Sequence, residues 1–312
     1  MANATSSAEA QAWVITGPTS GIGHRTALEL AKHGTVVLVG RDPTKLREVE
    51  TEINRLPNGH AVSVLADFSE PDSVRHAATE IAALNLPIAG VLNNAGLMST
   101  RDGVKTPRGW DISFATNHLG PFAFTEALIP HLAPGTNIVF TCSGVEDPER
   151  KPAVTAGFRG GRYISAEASA RGEWSAGGST HVGFDAYATS KQGNLATVFA
   201  FAREYPQLRF NAVEPGFNPG SNLGRDANRA LVFLSKYVMS PLAPMIKYWS
   251  TPKIASRMIT KVLTEKSTDT DVYYDEKGKP MQASKQVSDP AFSDRFIAET
   301  RELLAKAPST LS

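Results

Sequence analysis

Short apolar runs alternate along this chain with longer amphipathic stretches, and this alternation constrains the fold more than any other feature. Six runs have the length and β-branched content of strands, and several are almost wholly apolar, as in parallel strands covered on both faces. They lie at residues 13–16, 35–40, 61–67, 88–94, 137–143 and 209–215. Helical patterns connect them, for example residues 21–34, where Gly34 is a suitable helix stop. The sequence therefore predicts an α/β fold with a doubly wound, Rossmann-like parallel sheet.

Two segments depart from this alternation. Residues 144–184 are rich in Gly, Ala, Ser and Arg, which predicts an insertion on the surface rather than a core element. Residues 217–250 begin with turn-forming residues and become apolar; they are interpreted as core-facing helices, a lid over an apolar substrate or, through residues 230–249, a membrane-surface contact. Neither segment resembles a linker. We expect a flexible tail at residues 1–11 and a single domain at residues 12–312 that includes the insertion and a C-terminal extension.

The composition limits the classes of partner. With 32 basic and 31 acidic residues in 312, the net charge is +1, which gives no strong field for nucleic acid or an anionic membrane. Cys142 is the only cysteine, so an internal disulfide is excluded, and no cluster has metal-ligand spacing, so no metal site is predicted. No signal peptide and no apolar run of transmembrane length is evident. We expect a cytoplasmic protein that binds a small molecule.

A glycine turn, "TGPTSGIG" at residues 16–23, joins the first predicted strand to the first predicted helix. Such a turn lets the backbone approach a pyrophosphate, and the helix N-terminus adds free N–H groups and a partial positive charge. A tight turn without a ligand is the alternative, and the position between strand and helix favours a dinucleotide cofactor. The candidate cofactor-binding residues here are Thr16, Gly17, Ser20, Gly21, Ile22 and Gly23.

The end of the second predicted strand indicates which dinucleotide is bound. An acid at this point would hold the ribose 2′-hydroxyl of NAD, but the sequence has Gly40 followed by Arg41. Arginine can form a charge-assisted fork with a 2′-phosphate, and Ser20 can add a hydroxyl donor. We therefore predict NADP(H). The alternative is that Arg41 is only a solvated charge and Asp42 binds the ribose.

A tyrosine and a lysine four residues apart, Tyr187 and Lys191, begin a helical pattern and so share one helix face. A free tyrosine has a pKa of about 10. A nearby cation favours phenolate and lowers that pKa, so this pair is a candidate acid/base centre. Tyr273 and Lys277 have the same spacing, but their surroundings predict a strand running into a turn. On a strand these side chains would be about 13 Å apart, too far to interact in this way.

Five motifs in order give the chain a family resemblance. They are "TGPTSGIG", "NNAG" at residues 93–96, Asn117, Ser143 and "YATSK" at residues 187–191. Over roughly residues 12–220 the chain resembles the short-chain dehydrogenase/reductase family, in its shorter, single-domain TGxxxGxG branch. It is most similar to retinol-dehydrogenase-like and protochlorophyllide-reductase-like members, and to carbonyl-reductase-like members in its long insertion.

The resemblance implies a catalytic set of four residues. Ser143 would hold the substrate carbonyl and Tyr187 would donate the proton. Lys191 would bind the nicotinamide ribose and assist Tyr187, and Asn117 would kink its helix and connect Lys191 to a water relay. Tyr187 and Lys191 would thus also touch the cofactor. Further cofactor-binding residues implied by the resemblance are Asp67, Phe68, Asn93, Ala95, Gly96, Pro215, Gly216 and Asn218.

Two departures from the family pattern stand out. A threonine usually follows the Pro–Gly pair and contacts the carboxamide, but Gly220 occupies its place, and Ser221 or Asn218 is the candidate substitute. Ser143 and Tyr187 are 44 positions apart, more than usual. Long insertions at this point also occur in carbonyl-reductase-like members, some of them monomeric, where they cover the helices used for dimerisation. A monomer is therefore favoured over a homo-oligomer.

The expected function is NADPH-dependent reduction of a ketone or aldehyde in a bulky, rather apolar substrate, with Tyr187 as proton donor. Reduction of an activated C=C bond is an alternative within the same class. A non-catalytic NADP(H)-binding regulatory protein is an alternative from another class, although the complete set of four catalytic residues argues against it.

Overall fold

A seven-stranded, all-parallel sheet forms the centre of the computed structural model, which describes residues 11–218 and 248–307. The strands are β1 (Ala12–Thr16), β2 (Thr35–Gly40), β3 (Ala61–Leu65), β4 (Ile88–Asn93), β5 (Asn137–Thr141), β6 (Arg209–Val213) and β7 (Val272–Tyr274). The spatial order is β3-β2-β1-β4-β5-β6-β7. The predicted doubly wound sheet is confirmed, and the six predicted strands differ from the observed ones by two residues or fewer at either end. The strand order reverses between β1 and β4, which is where such sheets bind ligands.

Helices cover both faces of this sheet. They are α1 (Gly21–Leu30), α2 (Pro43–Asn54), α3 (Pro71–Ala83), α4 (Ile112–Phe114), α5 (Gly120–Leu128), α6 (Lys151–Thr155), α7 (Ala166–Arg171), α8 (Phe184–Glu204), α9 (Pro252–Thr264) and α10 (Pro290–Lys306). A π-helical turn, Ala115–Leu119, joins α4 to α5, and 3₁₀ turns lie at Ile129–His131 and Gly144–Glu146. No helix among the described residues is long and apolar enough to cross a membrane.

The strands are apolar on both sides because each side contacts a separate layer of helices. In β2, Val37 and Val39 join the cluster that includes α3, α5, α8 and α10, whereas Val36 and Leu38 join the cluster with α1, α2 and α9. Alternate side chains of a strand point to opposite faces, so both sets are fully buried. This two-sided burial explains why the sequence shows continuous apolar runs.

The insertion at residues 144–184 does not lie wholly on the surface, and the sequence-based expectation is wrong on this point. Tyr163 is buried and its ring stacks on Phe296 of α10, with centroids 3.8 Å apart. Ala166 and Ala170 of α7 join the same core cluster. Small alanine side chains allow α7 to approach α10 closely. A composition rich in Gly and Ala therefore looks loop-like in sequence even where it is buried.

Helix α10 completes the core on the side of α8. Its apolar face buries Phe296 and Leu303 among others, and Arg301 connects three helices. The Arg301 guanidinium donates to Glu126 of α5 at 2.5 Å and to Glu204 of α8 at 2.8 Å.

Several sequence-based expectations concern residues that the structure does not describe. These are residues 1–10 of the predicted tail, most of the predicted lid at 217–250, and the candidates Gly220 and Ser221. The domain boundaries stay a prediction.

Candidate active site

The glycine turn forms the bottom of the candidate site, between β1 and α1. Gly17 and Gly21 have φ of +66° and +57°, a region that favours glycine. A Cβ on Gly23 would lie 2.2 Å from the carbonyl oxygen of Gly17, so helix and turn approach too closely for any side chain. Ser20 at the N-cap makes no side-chain hydrogen bond to the helix, and the first turn of α1 has no acidic residue. Helix N–H groups and a hydroxyl therefore face the place where a phosphate would bind.

Thr16 ties this turn to the end of β4. Its Oγ1 accepts hydrogen bonds from the backbone N–H groups of Asn94 (2.9 Å) and Ala95 (2.8 Å). The Asn94 side chain donates back to the carbonyl oxygen of Thr16 at 3.1 Å. Asn94 is not among the sequence-predicted site residues. Its presence in the "NNAG" motif, one position after Asn93, was the signal that could have identified it.

Three predicted cofactor residues lie at the ends of β3 and β4 but direct their side chains into the protein. Phe68 packs edge-to-face against Phe124 in the core, with centroids 5.5 Å apart. Buried Asn93 donates to the hydroxyl of Thr125 at 2.9 Å. Asp67 is half-buried and accepts from the N–H (2.9 Å) and hydroxyl (2.8 Å) of Ser69. Phe68 and Asn93 can therefore contact a cofactor at the sheet edge mainly through their backbone atoms.

Arg41 and Asp42, the two rivals for the ribose, occupy different environments. Arg41 is exposed directly after β2. Asp42 is the N-cap of α2, where its carboxylate accepts from the N–H groups of Thr44 and Lys45, both at 3.1 Å. These bonds, first that of the Lys45 amide, lower the pKa of Asp42. The carboxylate of Asp42 is therefore already used to start a helix.

Asn117 lies in the π-helical turn between α4 and α5, an irregularity often found at functional sites. Its side chain accepts from the N–H of Leu97 and donates to the carbonyl oxygen of the same residue, both at 2.8 Å. It also donates to the hydroxyl of Ser190 at 3.1 Å. A Cβ on Gly96 would lie 3.2 Å from Asn117 Oδ1 and 3.8 Å from Lys191 Nζ. Asn117 and Lys191 therefore both lie close to Gly96.

Ser143, Tyr187 and Lys191 converge at the carboxyl end of β5. Ser143 follows β5, and its side chain is near enough to the Tyr187 hydroxyl to lower the pKa of the phenol. Lys191 Nζ donates to the carbonyl oxygen of Thr141 at 2.7 Å and lies 5.6 Å from the centroid of the Tyr187 ring. Tyr187 and Lys191 are 8% and 4% exposed, so the charges of this site act in a poorly hydrated environment.

Burial dominates the protonation of these groups. It raises the pKa of Tyr187, with smaller contributions in the same direction from Cys142 and from the Glu214 carboxylate, and the Ser143 side chain lowers that pKa. Burial also lowers the pKa of Lys191 to about 8. The sequence predicts a lowered tyrosine pKa, but in the structure the loss of hydration raises the pKa of Tyr187. Tyr187 is thus held as a neutral phenol, the form that can donate a proton.

Known proteins resemble this chain in sequence and in fold. A sequence model of the family described as short chain dehydrogenase matches residues 11–153. YciK of Escherichia coli K12, an uncharacterized oxidoreductase, is 31% identical over 213 residues, which cover 65% of this chain and 71% of YciK. The chain belongs to the short-chain dehydrogenase/reductase family.

Two further relatives add detail. DnrU of Streptomyces sp. strain C5, described as a daunorubicin C-13 ketoreductase, is 33% identical over 204 residues, 65% of this chain and 64% of DnrU. The crystal structure of a short chain dehydrogenase from Shigella flexneri 2a in complex with NADP superimposes with a TM-score of 0.59 and 25% identity, covering 86% of this chain and 97% of that one. The chain spans about 64% of the length of the first curated relatives that it matches.

The segment after β6 is described as far as Asn218, so the predicted departure at Gly220 lies outside the described residues. Gly216 has φ of +73°, and the Asn218 amide donates to the carbonyl oxygens of Pro215 (3.2 Å) and Gly216 (2.8 Å). Asn218 Oδ1 is buried and has no hydrogen-bond partner among the described residues. A buried acceptor without a partner is costly, so this oxygen fits the amide donor of a nicotinamide carboxamide.

The second tyrosine–lysine pair is not a site. Tyr273 is buried in β7, whereas Lys277 lies in the following turn, where its N–H donates to Asp275. The interpretation of this pair as a strand running into a turn is confirmed. Cys142 is buried as well, and burial raises the pKa of its thiol to about 12, so it is a poor nucleophile. No group of three or more His, Cys, Asp or Glu in the described part of the chain could hold a metal ion.

Proposed function

We propose that this protein is an NADPH-dependent reductase that converts a ketone or aldehyde of a bulky, rather apolar substrate to the alcohol. The observation that carries the proposal is the position of buried Tyr187, next to Lys191 and near Ser143 at the carboxyl edge of the sheet. A neutral phenol in this place suits general acid catalysis. The description of DnrU as a ketoreductase supports the same reaction class.

The residues present fit a nicotinamide dinucleotide. The turn of Gly17, Gly21 and Gly23 with Ser20 offers donors for the pyrophosphate, and Asn218 Oδ1 offers an acceptor for the carboxamide. Thr16, Ile22, Asp67, Phe68, Asn93, Ala95, Gly96, Pro215 and Gly216 complete the proposed contacts. When bound, the dinucleotide supplies the hydride that adds to the carbonyl carbon.

The side chains then provide the rest of the reaction. Ser143 binds the carbonyl oxygen of the substrate and so fixes its position. As negative charge develops on that oxygen, Tyr187 transfers its proton to it. The Lys191 ammonium stabilises the phenolate that remains, because the pair is shielded from water. Asn117 holds the backbone beside Lys191 through its bonds to Leu97 and Ser190.

The preference for NADPH rests on Arg41. The side chain is exposed where a 2′-phosphate would lie, and the rival Asp42 is occupied as a helix cap. The NADP in the Shigella flexneri structure supports this choice. An arginine fork with a phosphate is charge-assisted and therefore strong.

An apolar substrate is favoured by the surroundings of Tyr187. Phe158 and Phe184 stack with centroids 4.0 Å apart, and Met98 and Val145 pack against the same cluster. These four apolar side chains line one side of Tyr187, and Phe184 is half-buried. A polar group of a substrate would lose its water there and gain no hydrogen bond in return, so an apolar substrate is favoured.

The test is NADPH oxidation over a panel of ketones, aldehydes and enones graded by size, with NADH in parallel and product analysis. An alcohol product and faster turnover with NADPH would support the proposal. A saturated ketone as the product would indicate C=C reduction instead. Tight NADPH binding without oxidation of the cofactor over the whole panel would indicate a regulatory protein.

A further inference from the structure

A fully buried carboxyl group lies three residues after Ser143, in the side chain of Glu146. Ser143 and the 3₁₀ turn Gly144–Glu146 that follows it form one short segment, the serine turn. Glu146 is 0% exposed, and burial of an acid is costly unless its oxygens are hydrogen-bonded. The chemistry proposed for Ser143 and Tyr187 gives Glu146 no part, so its burial needs another explanation.

Ser284 provides donors to both carboxyl oxygens of Glu146. The backbone N–H of Ser284 donates to Oε1 at 2.9 Å, and its hydroxyl donates to Oε2 at 2.6 Å. Ser284 is buried and lies 138 positions along the chain, shortly before α10. Val287, three residues later, is buried in the core, and its carbonyl oxygen accepts from the hydroxyl of Ser293 in α10 at 2.8 Å. Glu146 therefore fixes the serine turn to a well-packed C-terminal segment.

The backbone of Glu146 connects the serine turn to α8, the proposed catalytic helix. The carbonyl oxygen of Glu146 accepts from the N–H of Gly161 in the insertion at 2.8 Å. The N–H of the next residue, Arg162, donates at 2.8 Å to the hydroxyl of Thr189, two positions after the catalytic tyrosine. The N–H of Glu146 donates to the carbonyl oxygen of Ser143 at 3.3 Å. Glu146 thus lies where the serine turn, the insertion and the catalytic helix meet.

Two more contacts limit the movement of the serine turn. Half-buried Val145 packs against the apolar cluster that includes Tyr187. A Cβ on Gly144 would overlap the side chain of Arg150, whose guanidinium pairs with the Glu214 carboxylate at 2.6 Å. A shift of the serine turn would therefore also change the packing beside the catalytic tyrosine.

We propose that Glu146 is a positioning residue for carbonyl reduction: its hydrogen bonds with Ser284 hold the serine turn, and with it Ser143, in place beside Tyr187. The inference rests on the proposed function. Glu146 acts only through the serine turn, because its carboxyl group is fully buried and bonded to Ser284. The side chain is needed as a hydrogen-bonding partner of this length rather than as a charge, so glutamine should replace it and alanine should not.

Four variants separate this role from general stability. Glu146→Ala removes the acceptor, and Ser284→Ala removes one of its two donors. Glu146→Gln keeps an acceptor for the N–H of Ser284, and its amide can donate to the serine hydroxyl, which can also accept. Ser63→Ala is the matched control, because the Ser63 hydroxyl of β3 donates to Glu50 of α2 at the same distance of 2.6 Å. Strands β2, β1 and β4 lie between β3 and β5, so this bond is remote from Ser143.

The place of the serine turn is measured first without substrate, from the NMR shift of the Tyr187 Cζ carbon in protein with labelled tyrosine. The Tyr187 resonance is identified as the one that is absent from Tyr187→Phe. It should move in Glu146→Ala and Ser284→Ala, because the serine turn packs against the cluster that contains this ring. It should keep its wild-type position in Glu146→Gln and Ser63→Ala.

Turnover is then measured with a substrate of the wild-type protein. We expect kcat to fall by about 10- to 100-fold in Glu146→Ala and by about 3- to 10-fold in Ser284→Ala, with NADPH affinity within about threefold of wild type. Glu146→Gln should keep kcat within about threefold of wild type, and Ser63→Ala should leave it unchanged. A merely structural role would lower the melting temperature without separating kcat from NADPH affinity.

An unmoved Tyr187 resonance in folded Glu146→Ala would overturn the proposal, as would a kcat in Glu146→Gln as low as that in Glu146→Ala. If Glu146→Ala does not fold, Ser284→Ala decides, and an unmoved resonance there counts against the proposal. The NMR measurement needs no turnover. A wild-type protein that is inactive over the whole carbonyl panel would therefore contradict the proposed function, while the resonance still decides the positioning role.

Discussion

The ammonium of Lys191 lies 5.6 Å from the centroid of the Tyr187 ring, and its hydrogen bond goes to the carbonyl oxygen of Thr141. The lysine therefore acts on the tyrosine through space, over the ring face, whereas the Ser143 side chain lowers the pKa of the phenol. The two neighbours of Tyr187 thus have separate places in the proposed site: Lys191 faces the ring, and Ser143 lies near the hydroxyl.

Replacement of Tyr187 by phenylalanine tests the proton donor. The ring and its burial are kept while the hydroxyl is lost, so we expect kcat to fall by about 10²- to 10⁴-fold. NADPH affinity, measured by fluorescence titration, should change little. Turnover at the wild-type rate in a folded Tyr187→Phe protein would remove this residue from the mechanism.

The pH dependence of turnover should report Lys191. Burial lowers its pKa to about 8, so the ammonium is present below that pH and is lost above it. Because the charge stabilises the phenolate, kcat should decline as pH rises through about 8. Lys191→Arg keeps its charge at any accessible pH, and this decline should be absent from whatever activity the variant retains. The same decline in Lys191→Arg would show that another group titrates.

Arg41 and Asp42 should differ in their effect on cofactor choice. Arg41→Ala removes the proposed contact to the 2′-phosphate, so the KM for NADPH should rise by about 10- to 100-fold with little change for NADH. Asp42→Ala removes the cap of α2 and should lower the melting temperature without altering the NADPH/NADH ratio. A changed ratio in Asp42→Ala, with none in Arg41→Ala, would favour the ribose-binding alternative.

Buried Glu146 should make stability depend on pH. It is 0% exposed and accepts from the N–H (2.9 Å) and hydroxyl (2.6 Å) of Ser284, and burial raises its pKa to about 7. Its raised pKa means that the folded state binds the proton more tightly than the unfolded state. The contribution of Glu146 to stability is therefore present below its unfolded pKa of about 4.3 and is lost as pH rises through about 7.

Glu146→Gln carries no charge and lacks this loss. Its free energy of unfolding relative to wild type should increase between about pH 5 and 8, by on the order of 1–3 kcal/mol. Burial also lowers the pKa of His118 to about 3, so its contribution to stability rises with pH. This contribution is the same in both proteins and cancels when the variant is compared with wild type. Glu149→Gln, at an exposed pair with Lys285, is the control and should show no such change. A flat difference for Glu146→Gln would contradict the assignment.

The protein should be a monomer. Helix α10 covers α8 and is fixed to α5 and α8 by Arg301, so the apolar surface of these helices is already buried within the chain. Light scattering after size-exclusion chromatography should give a mass near 33.4 kDa. A stable mass of twice this value would refute the prediction.

The sequence by itself determined the sheet and most of the proposed catalytic set. Apolar runs identified the six principal strands, and the order of the glycine turn, Asn117, Ser143 and Tyr187 identified the edge where they meet. These features are readable because strand periodicity and turn chemistry are local properties of the chain.

Only the tertiary structure decided how these groups are tuned. Arg150 and Glu214 are 64 positions apart and Thr16 and Asn94 are 78 apart, so neither contact leaves a local pattern. The buried position of Tyr163 also depends on α10, which follows it by more than a hundred residues. The sequence predicts a lowered pKa for Tyr187, whereas the structure raises it, because burial depends on the whole fold. The lysine partner is visible four residues away, but the loss of hydration is set by packing from the whole fold.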